Sequence, residues 1–288
     1  MITVISDNKE IPVNMVEFSD GALTFKMVVD PDSKYTSVTV CPSTPVYRVF
    51  EELRLFFECL HKVSNEEKDM PYCGKIIINL PYLPYARCDR IFEKGNPNGL
   101  ERFMLDLEEM GYWDEMFICD IHNKNAVDTI LKNHLLTWNI NEKSQLQCFK
   151  ESLSYDVEKD WDLVIAPDKG AVEKAKTISE DLKIPCVFAN KKRDLSTGKL
   201  TEMLLPDYDF TGKKVLIPDD IGDGLGTHVW LGELLKKAGA KQVNLYVTHL
   251  IAPKGLKHLT GIIDNVYCHH TVAGYLNKQD VTDFNSNK

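Results

Sequence analysis

A chain of 288 residues with 43% hydrophobic and 27% charged side chains can build one large domain or about two ordinary ones, and its composition excludes a fibrous repeat or a disordered polymer. No window reaches the run of about 20 apolar residues that a membrane helix needs. With 34 Lys and Arg against 43 Asp and Glu, the formal charge of −9 argues against adhesion to nucleic acid or anionic lipid. The eight cysteines (41, 59, 73, 88, 119, 148, 186, 268) form no CxxC pair and read as reduced, buried hydrophobes. Met1-Ile2-Thr3-Val4 has no basic-then-apolar leader, so a cytoplasmic location is expected.

In chain order, a β-rich run at 37–41 precedes a helical rhythm over 46–63, where Val46, Val49, Phe50, Leu53, Phe56, Phe57 and Leu60 recur near i, i+3, i+4, i+7. A strand at 75–79, a helix at 100–110 and a strand at 116–120 follow. The cadence pauses over the polar residues 138–159, where the domain junction is placed. It resumes with strands at 162–167, 186–189, 214–218 and 242–248 and helices at 172–182 and 228–238, the last closing on Gly239. Strands alternating with helices predict parallel sheets covered by helices. The tail after Val281 is polar and reads as frayed.

The most informative stretch runs from Lys213 to His228: a buried strand, Asp219-Asp220, the glycine-rich turn Asp223-Gly224-Leu225-Gly226, then Thr227 opening a helix. Ionised carboxylates only accept hydrogen bonds, so acids at a strand end can grip neighbouring sugar hydroxyls. Glycines let a turn aim backbone N–H groups inward, and a helix N-terminus beside them favours phosphate. Ligands of open α/β sheets collect at the carboxyl ends of strands, where this order puts both features. A tight turn with Asp as a helix cap is the plainer reading.

Asp219 to Thr227 resembles the signature of phosphoribosyltransferase-type folds, and four further segments narrow the resemblance to the ribose-phosphate pyrophosphokinase (phosphoribosyl-diphosphate synthetase) family. Phe18-Ser19-Asp20-Gly21 is similar to its FSDGE segment, and the run Pro81 to Arg90 to PYxxYARQDR. Asp120-Ile121-His122 is similar to DLH, and Pro167-Asp168-Lys169-Gly170 with Lys191-Lys192-Arg193 to PDxG and the KRR loop. These ordered motifs span roughly residues 15 to 271.

The resemblance implies an α/β protein of two tandem phosphoribosyltransferase-like domains, each a mostly parallel sheet flanked by helices: 1–140 on the ATP side and 141–288 on the ribose-phosphate side. It implies Mg²⁺-dependent transfer of the β,γ-diphosphate of ATP to the C1 hydroxyl of a ribose phosphate, leaving AMP. Such chemistry needs positioned cations more than a covalent nucleophile. By resemblance, Lys191 and Arg193 close over the transferring phosphate, ahead of the flexible-looking residues 194–199. Phe18, Asp20, Arg87, Asp89 and His122 bind ATP, and His122 and Asp168 hold Mg²⁺. Asp219, Asp220, Asp223, Gly224, Gly226 and Thr227 bind the ribose and its phosphate. The FSDG segment of the family reaches the ATP site of a neighbouring subunit, which implies a homo-oligomer. Taken without the resemblance, Lys191-Lys192-Arg193 is a solvated patch, Arg87 a loop salt bridge to Asp89, His122 a lone surface or core histidine, Asp168 a helix cap and residues 18–21 a hairpin turn. His249, His258, His269 and His270 are read as structural.

Four departures qualify the resemblance. The first strand and helix of the family's usual N-terminal domain are missing or replaced by about fifteen residues. Ala22 replaces the Glu of FSDGE, and Cys88 the Gln of YARQDR. The loop reads Asp223-Gly224-Leu225-Gly226-Thr227 in place of DTAGT, so a hydroxyl donor to the 5′-phosphate has become Gly224. That opens space for a larger 5′ substituent and tilts the expected acceptor from ribose 5-phosphate toward ADP-ribose, which a phage-type branch diphosphorylates in rebuilding NAD. The alternatives are a base phosphoribosyltransferase, which has no need of Tyr85-Ala86-Arg87 or Asp120-Ile121-His122, and an inactive regulatory homologue, against which the surviving cations and acids argue.

Overall fold

The computed structural model describes residues 1–62, 72, 74–111, 113–153, 160–193 and 200–286. The chain divides into two compact units, Met1–Lys143 and Ser144–Lys288.

In the first unit, β1 (Ile2–Ser6), β2 (Lys9–Ile11), β3 (Asn14–Glu17), β4 (Leu23–Lys26) and β5 (Tyr35–Val40) lead to α1 (Val46–Lys62). Then come β6 (Lys75–Asn79), α2 (Gly99–Glu109), β7 (Glu115–Cys119), α3 (Lys124–Asn133) and β8 (Ile140–Lys143). The sheet order is β2-β1-β5-β6-β7-β8, parallel from β5 to β8 and antiparallel at the β1 edge. The residues preceding the FSDG segment therefore form a hairpin added to the sheet edge. Strands β3 and β4 make a separate antiparallel hairpin. In β5 every second side chain is buried, and α1 lays Val49, Leu53, Phe56, Phe57 and Leu60 into the same core.

The second unit runs α4 (Gln145–Ser152), β9 (Leu163–Ala166), α5 (Val172–Leu182), β10 (Cys186–Phe188), β11 (Asn190–Arg193), β12 (Leu200–Leu204), β13 (Lys214–Gly222), α6 (Gly226–Lys237), β14 (Gln242–Leu250), β15 (Asn265–Thr271) and α7 (Lys278–Ser286). The sheet, ordered β10-β9-β13-β14-β15, is wholly parallel, while β11 and β12 form a separate antiparallel ribbon. Its central strands read as continuous apolar runs because helices cover both faces. On one face Val215, Ile217, Val243 and Leu245 pack against Leu231 and Leu235 of α6. On the other, Val164, Ala166, Leu216 and Tyr246 pack against Ala175 and Ile178 of α5 and Phe149 of α4. This two-faced burial fixes which way each residue at the strand ends is directed.

The structure corrects three expectations. The apparent pause at 138–159 contains β8 and α4, the latter opened by a reciprocal capping box between Ser144 and Gln147. The tail is helical through Ser286: Asn277 and Asp280 cap each other, the Asn285 amide bonds both backbone groups of Val266, and Val281 is buried. Among the described cysteines only Cys148 is fully buried, whereas Cys41 and Cys88 are exposed. Seven described cysteines are free thiols, and burial pushes the Cys268 thiol up to about 11, which keeps it protonated. Cys73 lies outside the described residues. Among the described residues no helix is long and apolar enough to cross a membrane.

Candidate active site

Strand β13 runs four residues past its expected end, to Gly222, so Asp219 is still in register with Val247 of β14. Successive side chains of a strand point to opposite faces. Asp219 therefore follows Val215 and Ile217 toward α6, and Asp220 follows Leu216 toward α5. The contacts bear this out. His228 Nε2 on α6 is 2.9 Å from Asp219 Oδ2, whose other oxygen accepts the backbone N–H of Asp220 at 2.9 Å. Lys174 Nζ on α5 is 3.1 Å from Asp220 Oδ2. The adjacent acids thus straddle the sheet edge, each anchored from a different helix.

Asp168 follows β9, whose Val164 pairs with Leu216 of β13; four residues beyond that pair stand Asp168 and Asp220. Asp168 thus stands two residues past the end of β9, on the turn that leads into α5. Asp168 Oδ1 accepts from the N–H groups of Gly170 (2.7 Å) and Ala171 (3.2 Å), so the capping role open to it from sequence is real. The backbone of Lys191 and Arg193 lies in β11, just beyond the carboxyl end of β10, and its pairing with β12 is bulged between Lys192 and Arg193. Residues 194–199 lie outside the described residues. The order β10-β9-β13 gathers Lys191, Arg193, Asp168, Asp219 and Asp220 at the carboxyl ends of three neighbouring strands.

The turn after β13 is anchored from below. Leu225 has φ 57° and is only 3% exposed, its side chain joining the core beneath the loop. Gly222 packs closely there: a Cβ on it would meet Leu225 Cδ2 at 3.0 Å and Val247 Cγ2 at 3.2 Å, so these side chains would have to give way. Above the core the reverse holds. A Cβ on Gly224 or Gly226 meets no heavy atom within 4 Å. The loop is thus pinned yet open on its outer side, with Thr227 in the first turn of α6.

In the first unit, Arg87 and Asp89 lie on the segment after β6, and Asp120-Ile121-His122 on the segment after the adjacent β7; Cys119 N–H donates to Pro81 O at 3.1 Å. Asp89 is 6% exposed and accepts from Asn123 Nδ2 and from Arg90 Nε at 3.0 Å. Burial pushes its carboxyl up, but the Asn123 amide, Arg90 and the nearby His122 outweigh this and hold it below the ordinary carboxylate range. Arg87 is exposed and His122 half-buried. Phe18 and Asp20 are exposed on the β3–β4 turn, where Asp20 Oδ1 accepts from Ala22 N–H at 3.0 Å; this is a true hairpin turn.

Because the Asp89 carboxyl is depressed, its stabilisation is complete above the unfolded value of about 3.9 and is lost as pH falls through the lower folded value. Asp89→Asn should cost about 1–3 kcal/mol near neutrality. In urea unfolding, the gap between variant and wild type should close as the pH is lowered past that window. A gap that stays constant with pH would contradict this account.

Sequence reasoning missed Lys174 and His228. A lysine six residues after Asp168 and a histidine directly after Thr227 were signals, but neither type in that position announces a partner until α5 and α6 dock on opposite faces.

A parallel sheet with acids, a glycine loop and a helix start at its carboxyl edge defines a phosphoribosyltransferase-type α/β architecture, and a phosphoribosyl transferase domain model matches residues 127–266. The chain is 30% identical over 268 residues to the ribose-phosphate pyrophosphokinase of Thermococcus kodakarensis, covering 92% of this chain and 87% of that one. It is 31% identical over 209 residues to the enzyme of the same name from Pyrococcus furiosus, covering 71% and 69%. The crystal structure of phosphoribosylpyrophosphate synthetase from Mycobacterium smegmatis superposes with a TM-score of 0.67 at 21% identity, over 90% of this chain and 80% of that one, and shares the fold. The chain belongs to the ribose-phosphate pyrophosphokinase family.

Proposed function

We propose that this protein moves the β,γ-diphosphoryl group of ATP onto the C1 hydroxyl of a ribose acceptor and releases AMP, with ADP-ribose preferred over ribose 5-phosphate. The acceptor oxygen forms a bond to Pβ while the bond from Pβ to the oxygen bridging to Pα breaks. AMP leaves with that electron pair, and the hydroxyl proton is released. Asp219 and Asp220 bind the ribose hydroxyls; Asp223, Gly224, Gly226 and Thr227 offer the phosphate-binding turn at the start of α6. Lys191 and Arg193 meet charge developing on the transferred group. Arg87 and His122 receive the ATP phosphates, braced by Asp89 through Asn123 and Arg90. Mg²⁺ suits His122 on the ATP side and the hard carboxylate of Asp168, with Asp220 at the end of the neighbouring strand β13, and would neutralise phosphate charge there. Exposed Phe18, 54% accessible at a hairpin tip, supports an assembly in which that tip serves a neighbouring subunit.

The acceptor preference rests on the empty space outside Gly224 and Gly226, above a loop held firm by Leu225. A bare 5′-phosphate loses a side-chain partner there, while a diphosphate continuing into a nucleoside gains an exit. Incubation with ATP, Mg²⁺ and each acceptor, with AMP as readout, tests the reading. Turnover of ribose 5-phosphate alone would defeat the ADP-ribose preference. Gly224→Thr, at a position without a left-handed backbone, should move the ratio of kcat/KM toward ribose 5-phosphate by about tenfold, the worth of roughly one hydrogen bond to a charged group.

A further inference from the structure

We infer that His228 is a positioning residue of the acceptor site, which orients the Asp219 carboxylate for the ribose hydroxyls. The inference rests on the acceptor reading above and adds to it a residue that the family motifs did not supply. His228 is 4% exposed in the first turn of α6, immediately after the phosphate loop. Its Nε2 lies 2.9 Å from Asp219 Oδ2, and its Nδ1 is buried without a hydrogen-bond partner among the described residues. A buried N–H without an acceptor is rarer than a buried lone pair without a donor, so the proton belongs on Nε2, where Asp219 accepts it.

This arrangement makes the imidazole a one-directional donor. With Oδ2 taken by His228 and Oδ1 by the Asp220 N–H, the carboxylate cannot rotate about its Cβ–Cγ bond without losing both. Each carboxylate oxygen has a second lone pair, and the Asp219 side chain keeps 22% of its surface exposed, which leaves acceptor capacity for a sugar hydroxyl. The same residue ties the acid to the loop: His228 and Thr227 are neighbours in one helical turn, so the group that sets the carboxylate is rigidly joined to the turn that would hold the phosphate. Asp220 has its own anchor in Lys174 from the opposite face. The two acids are therefore oriented independently.

The test compares three variants of the full chain. In His228→Gln the amide nitrogen takes the place of Nε2 and still reaches Asp219; in His228→Asn it stops near the place of Nδ1 and does not; in His228→Leu there is no donor. The Asn and Leu variants should raise the acceptor KM on the order of tenfold to a hundredfold while kcat at saturating acceptor and the ATP KM stay within about threefold, and the Gln variant should retain a KM near wild type. A merely structural histidine would lower the melting temperature in all three and leave this KM split absent. Equal acceptor KM in the Gln and Asn variants, or a matching rise in ATP KM, would overturn the inference. Calorimetric binding of ADP-ribose or ribose 5-phosphate without ATP gives the same ranking independently of turnover. If wild type binds acceptor but forms no AMP, the transfer reading fails while the His228 inference is still decided by that ranking.

Discussion

Replacing Lys191 or Arg193 by alanine should lower kcat by about 10²–10³-fold while ATP affinity changes little. The reason is where the charge appears. ATP and acceptor carry their phosphates in the ground state, and cations meeting both states equally would affect only binding. In transfer of a diphosphoryl group, charge spreads over the oxygens of the phosphorus being attacked, and a donor placed for that arrangement acts on the barrier. The backbone of both residues follows directly from the carboxyl end of β10, beside the strands that carry Asp168 and Asp219/Asp220. The β11–β12 ribbon is built outside the main sheet and is tied to the core through Met203 of β12. The check is AMP formation at saturating substrates together with ATP binding measured by calorimetry. Wild-type kcat in both variants would remove these cations from the mechanism.

Asp220→Ala is expected to raise the acceptor KM by about tenfold to a hundredfold, because it removes a charged hydrogen-bond acceptor and strips Lys174 of a partner. Asp220→Asn keeps the shape and removes the charge, so its effect on acceptor binding should fall between wild type and Ala. The ATP KM should be spared in both. Since Asp220 and Asp168 stand at the carboxyl ends of the neighbouring strands β13 and β9, the Mg²⁺ concentration needed for half-maximal activity should rise as well. Acceptor KM and metal requirement both unchanged would take Asp220 out of the site. The contrast with His228 is informative: His228 variants act on the acceptor through Asp219 and should leave the metal requirement alone.

Much of the fold was legible because burial leaves a period in the sequence. The expected helix at 172–182 coincides with α5, and the strand at 75–79 with β6, since each carries its apolar residues at the spacing of its own element. Where the pattern is carried by few residues it was not read. Strand β8 is four residues long, three of them polar, and is held by its parallel register with β7 rather than by any alternation of its own. The Ser144–Gln147 capping box was visible and would have placed α4; its polar helix masked it. Helix α7 looks like a polar tail until Val281 and Phe284 find the core and Asn285 satisfies the edge of β15.

The candidate site divides in the same way. Residue types and their order along the chain were enough to identify the family and to nominate the acids, the glycine turn and the loop cations as its candidate site, because motifs of this kind depend on local backbone geometry that adjacent residues specify. Which face each acid serves depended on helices arriving from elsewhere. Adjacent in sequence, Asp219 and Asp220 are sent to opposite sides of a sheet whose two faces are each covered, and only that packing gives one a buried imidazole and the other an ammonium. Likewise, nothing in the letters Gly-Leu-Gly says that the leucine is anchored inward while the glycines face open space; that follows from a core with room for one side chain beneath the turn.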